Sequence, residues 1–170
     1  MIYNYAEKWS RSYKEAIKPL TEAQARKRHE KKGALYTALL GDDPARPQTF
    51  VEIVSGDSIQ VEFLDQSLRT KAYYQFVLQP DGRLFMVSAV VSDFDANGTC
   101  LIGRRFSFKP NGHVMRFETD YIASPDTETV VEKTMDMSLN WEPYPEFGDY
   151  ASIARFERNA PPKKAQHGVA

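Results

Sequence analysis

The chain has 170 residues, 42% hydrophobic and 12% aromatic, which supplies the core of one globular domain and excludes a disordered chain. Lys and Arg number 22 against 23 Asp and Glu, a formal charge of −1, so no overall attraction to nucleic acid or membrane is expected. No apolar run of about 18 residues exists, and the single cysteine, Cys100, excludes an intramolecular disulfide and a cysteine-rich zinc site.

The opening residues, Met1 to Ser10, lack the basic start and apolar stretch of a secretion signal. With the lone cysteine, this predicts a cytoplasmic protein. Residues 2–18 read as an amphipathic helix, because Ile2, Tyr5, Ala6, Trp9, Tyr13, Ala16 and Ile17 recur at three- and four-residue spacing. Pro19 ends it. Thr21 is the expected N-cap of a second helix from 22 to 40, closed by Gly41. Its first half is basic and its second half, Ala34 to Leu40, is apolar.

Strand-like alternation begins near residue 48. Val51 and Ile53 oppose Phe50, Glu52 and Val54, and Ile59, Val61 and Phe63 alternate with Gln60 and Glu62. Ala72, Tyr74, Phe76 and Leu78 share one face of the next strand. Residues 84–91 are apolar on both faces, as a central strand should be. Cys100, Ile102, Phe106 and Phe108 alternate with Arg104 on their own face. Met115, Phe117 and Tyr121 line a further strand, and Val131, Met135, Met137, Leu139 and Trp141 line the last one, broken by Lys133.

Three turn signals join these strands: Pro80-Asp81-Gly82, Ala96-Asn97-Gly98 and Pro110-Asn111-Gly112. Each suits a type I turn closed by a left-handed glycine. A short helix is expected over 149–158, carrying Ile153 and Phe156. Residues 159–170 have no apolar periodicity and read as a disordered, removable tail. The expected fold is α+β: two N-terminal helices packed on a curved antiparallel meander of about six to seven long strands, then a short C-terminal helix. It forms a single domain over 1–158. The core is expected on Trp9, Tyr13, Leu39, Phe76, Leu84, Met86, Val90, Ile102, Phe106, Phe117, Met135, Met137 and Leu139.

No phosphate-binding glycine loop, nucleophile elbow, paired-histidine helix or calcium loop occurs, so no cofactor or metal is expected and the reading leans away from an enzyme. Cys100 sits between apolar neighbours and reads as a small hydrophobe. His29, His113 and His167 have no metal-like spacing. Arg104 must snorkel, meet an inward carboxylate, or line a pocket.

Charge is unevenly spread. Residues 1–40 carry nine Lys and Arg against four Glu, whereas residues 119–150 carry eight Asp and Glu against Lys133 alone. The acidic stretch ends in Trp141-Glu142-Pro143-Tyr144-Pro145-Glu146-Phe147-Gly148-Asp149-Tyr150. Prolines stiffen it, and rigid aromatics among charges suit protein recognition.

The leading expectation is therefore a non-catalytic inhibitor of the bacterial immunity type. It would neutralise a basic toxin or nuclease through Trp141, Glu142, Tyr144, Glu146, Phe147, Asp149 and Tyr150. The alternative is a small-molecule pocket protein or enzyme, with Arg104, Tyr74, His113 and Glu118 lining a cavity under the sheet. A deep pocket with Arg104 facing inward would favour this reading, and a solid core there, with Arg104 exposed or salt-bridged to structure, would rule it out. Phosphate binding by Arg26, Lys27, Arg28, Lys31 and Lys32 is the third reading; a solvated helix face is the plainer one.

Overall fold

A computed structural model of the chain describes residues 3–31, 34–123 and 128–158. Its strands are β1 (Tyr3–Ser10), β2 (Glu15–Leu20), β3 (Tyr36–Leu40), β4 (Thr49–Ser55), β5 (Ser58–Leu64), β6 (Thr70–Leu78), β7 (Arg83–Phe94), β8 (Cys100–Phe108), β9 (His113–Asp120), β10 (Glu128–Thr134) and β11 (Trp141–Pro143). Among the described residues there is one α-helix, α1 (Glu22–Glu30). The strands join a single 11-stranded antiparallel sheet in the order β10-β9-β8-β7-β6-β5-β4-β3-β1-β2, with β11 beside β7. This corrects the expected α+β arrangement of two helices on a shorter meander.

The first predicted helix is a β-hairpin, with Tyr5 opposite Leu20 and Trp9 opposite Ala16. Tyr5 and Trp9 meet a helical spacing, but they also meet a period of two, and aromatic residues suit strands. Lys14 takes a left-handed φ of 55° and donates to the Ser10 carbonyl at 2.7 Å, which makes the turn. Tyr13, expected in the core, lies on that turn and is 78% exposed. Arg11 pins the hairpin by donating to buried Glu62 and to Glu52.

The second predicted helix starts as read. Thr21 Oγ1 accepts from the Gln24 amide, and the Gln24 side chain accepts in return from the Thr21 amide. It stops at Glu30, and Tyr36–Leu40 pairs between β1 and β4 instead. All five residues of β3 are buried. A short run that is apolar on both faces fits a buried helix or a central strand equally well, and two strand neighbours decide the matter.

The three glycine turns form as their sequences predict. Gly82, Gly98 and Gly112 have φ of 83°, 90° and 92°, and each donates its amide to the carbonyl three residues earlier. The last predicted strand, by contrast, breaks. β10 ends at Thr134, Asp136 accepts from the Ser138 amide in a local turn, and the chain re-enters the sheet at β11. Met137 is therefore buried, while Met135 on the same predicted row is 45% exposed. Residues 151–154 make a single turn, closed by Ala154 donating to the Tyr150 carbonyl, and not the short helix expected there. The expected tail over 159–170 lies outside the described residues.

The main core covers one face of the sheet, here the inner face. Val51 and Ile53, Ile59, Val61 and Phe63, Ala72, Tyr74 and Phe76, and Leu84 and Met86 pack there, and Tyr150 and Ile153 join them. Trp9, Leu39, Phe50 and Leu64 form a second cluster.

A Cβ on Gly112 would stand 2.8 Å from the Met135 carbonyl oxygen, whereas one on Gly82 would meet nothing within 4 Å. Gly112→Ala therefore carries a backbone clash on top of the left-handed strain, itself about 1–2 kcal/mol. We expect Gly112→Ala to lower the melting temperature by more than Gly82→Ala, at about 2–4 °C for each kcal/mol. Equal melting temperatures for the two variants would show that the turn does not abut the chain after β10.

Candidate functional site

The segment from Trp141 to Arg158 is folded back across the inner face by one buried carboxylate. Glu142 is 2% exposed. It accepts from Arg155 Nη2 at 2.8 Å, and from Arg158 Nη2 and Ser152 Oγ at close contact. Arg158 also donates from Nε and Nη2 to the Leu139 carbonyl, at 3.2 and 3.1 Å. Tyr74 donates its hydroxyl to the Phe156 carbonyl at 2.7 Å, and Asn140 donates to the Met86 carbonyl at 3.3 Å.

Arg158 is only 8% exposed in its side chain, and its Nη1 has no hydrogen-bond partner. Burial holds its guanidinium below the ordinary arginine value, with Glu142 opposing the effect. A buried donor left unpaired costs about 1–3 kcal/mol. Arg158 also lines a groove.

The groove, of about 270 Å³, lies on the inner face between β6–β9 and the returning segment. Its cause is legible in the cross-strand rows, because directly opposed residues share a face. Tyr74, Ala89, Phe106, Arg116 and Val131 stand opposite one another across β6 to β10. Ala89 is the small member between two rings, and it leaves the space. Val91, Phe108 and Val114 add apolar lining, and Met135 and Phe156 border it while 45% and 42% exposed. The polar lining is Tyr74, Lys133 and Arg158; no Asp, Glu, His or Cys contributes.

The next row runs Ala72, Val91, Arg104, Glu118 and Thr129. Arg104 donates from Nε to Glu118 at 2.8 Å and from Nη1 to Asp93 at 2.7 Å. These partners, Asp93 first, hold its guanidinium above its ordinary value. Arg104 and Glu118 are thus committed to each other and do not line the groove. His113 does not line it either; its Nε2 is 3.7 Å from Glu132. Of the four residues expected around a cavity, Tyr74 alone lies there. Lys133 had shown itself only as a break in an apolar row. Arg158 had no signal at all, since its burial depends on Glu142 sixteen residues earlier.

The aromatic segment packs largely inward. Tyr150 is fully buried and its hydroxyl lies 2.9 Å from that of Tyr36, which in turn is 2.8 Å from His29 Nδ1. Phe147 stacks on Tyr5 at 5.1 Å, and the Arg26 guanidinium lies 4.4 Å from the Phe147 ring centroid. Trp141 contacts Phe85 at 4.8 Å and Tyr144 is half-buried. Of the seven residues expected to meet a partner, Glu146 and Asp149 remain exposed carboxylates, and Glu142 is internal.

In the basic run, Arg26 pairs with Glu22 at 3.0 Å and Arg28 with Glu7 at 2.6 Å; Lys32 lies outside the described residues. Among the described residues no helix is long and apolar enough to cross a membrane. No known protein family, curated protein or solved structure matches this chain.

Replacing Glu142 by Gln removes the charge that two guanidinium groups share, and we expect a loss of about 3–5 kcal/mol in urea unfolding. An unchanged midpoint would mean that the returning segment is held by its apolar contacts alone.

His29 gives a pH signature. Burial holds its imidazole below the ordinary value, opposed by Glu30 and assisted by Arg26. The unfolded chain therefore takes up the proton first, so stability falls as pH drops through about 6.5 and levels off below the folded value. Asp65, Asp81, Asp120 and Asp136 are lowered too, and they lose stability only further down, below about pH 4. Melting temperatures should decline between about pH 7 and 5 in the wild type and less steeply in His29→Gln. Parallel curves would remove His29 as the source.

Proposed function

We propose that the protein is a non-catalytic carrier or sensor that holds a small, apolar-bodied ligand in the groove over Ala89. The observation that supports this most is local. The inner face is sealed from β3 to β6, yet Phe106, Met135 and Phe156 are left partly open around one small residue. Covering apolar surface of that kind gains about 25 cal/mol per Å², and a mostly apolar concavity with a few polar groups is the usual form of a ligand site. The lining holds no Ser, Cys, His, Asp or Glu, which supports binding over catalysis.

A second reading keeps the acidic loop. Glu146 and Asp149 are exposed on a segment fixed by the Tyr5–Phe147 and Arg26–Phe147 contacts, and a preordered acidic loop suits capture of a basic protein. The two surfaces are separate, so both readings can be tested on one protein.

The test of the first uses a neutral apolar fluorophore such as N-phenylnaphthylamine. Wild-type protein should enhance its emission saturably. Ala89→Leu, which fills the space at an overpacking cost of about 1–3 kcal/mol, and Met135→Asp, at an exposed position, should each abolish most of the enhancement. No binding, or binding equal in all three proteins, would contradict the proposal.

A further inference from the structure

The groove has a cationic end. Arg158 lines the groove and commits Nε and Nη2 to Leu139 and Glu142, while its Nη1 is a buried donor without an acceptor. Lys133 lines the same groove. Arg116, opposite both Phe106 and Val131 on the same face, also has a buried Nε without a partner. Glu118, the carboxylate two residues along β9 on that face, is occupied by Arg104. The site therefore joins an apolar body to positive groups, with no negative group in its lining.

Resting on the groove reading above, we infer that the ligand is an amphipathic monocarboxylate, a free fatty acid in chemical class, whose carboxylate sits at the Lys133 and Arg158 end of the groove and whose chain lies over Ala89 against Phe106 and Met135. Two cationic side chains with no carboxylate in the lining match a single small anion. A neutral chain gains nothing from them, and a cationic head would be repelled.

The experiment displaces the neutral fluorophore with three probes of equal chain length: octanoate, octanol and octylammonium. Octanoate should compete about tenfold more tightly than octanol, the discrimination expected of a charge-assisted hydrogen bond in a buried site, and octylammonium should not compete. Arg158→Lys keeps a cation for Glu142 but removes the planar guanidinium with its other donors, and should bring the octanoate-to-octanol ratio close to one. If circular dichroism shows that variant unfolded, Lys133→Met, at an exposed position, is read in its place and should lower the ratio at least about threefold. Equal binding of octanoate and octanol by the wild type, or a ratio unmoved in the folded variant, overturns the inference and leaves the apolar groove standing. Failure of the fluorophore and octanol to bind at all overturns the groove itself.

Discussion

Glu142 is a carboxylate with 2% of its surface exposed, and Arg155, Arg158 and Ser152 all donate to it. An ion buried this deeply is tolerated only when it is fully hydrogen-bonded and paired. Its partners lie ten to sixteen residues further along the chain. Satisfying Glu142 therefore requires the chain to turn back after β11 and lie across the inner face of the sheet. Tyr150 and Ile153 then complete the main core, Tyr74 reaches the Phe156 carbonyl, and Arg158 arrives beside β6 to β9. One buried charge thus sets both the closure of the core and the polar end of the groove.

The sheet provides the other half of the site. Its inner face changes character along the cross-strand rows, from Tyr74 and Ala89 through Phe106 to Arg116 and Val131. The returning segment covers the β3–β6 side and leaves the β8–β10 side partly open, since Phe106, Val131 and Met135 keep exposure that the β4–β6 residues lack. The neighbouring row could have supplied a cation through Arg104, but Asp93 and Glu118 neutralise it. Arg116 stands in the adjacent row and Lys133 in the row beyond it, where Lys133 lines the groove together with Arg158.

Local chemistry was legible in the sequence wherever it was decided locally. Gly82, Gly98 and Gly112 adopt the left-handed φ that their turn sequences require, and Thr21 caps α1 through Gln24. The alternation of Ala72, Tyr74 and Phe76 does mark the inner face. Tyr5 to Trp9 and Tyr36 to Leu40 were misread because their apolar spacing fits either period, and only pairing with distant strands resolves it. Tyr74 was placed near the site, but Arg158 and Ala89 were not, because a groove arises from which residues oppose one another across strands. The aromatic run from Trp141 to Tyr150 was visible as a cluster, and its inward packing depends on Glu142, a contact that sequence spacing does not encode.

In the proposed mode of binding, a ligand occupies the space over Ala89. The methionine-methyl NMR spectrum, recorded while octanoate is added, reads this directly, because Met86 and Met135 line the groove whereas Met115 does not. Saturable shifts of the Met86 and Met135 methyl signals are expected, with Met115 unmoved. Silence at Met86 and Met135, or equal movement of all three, would contradict it.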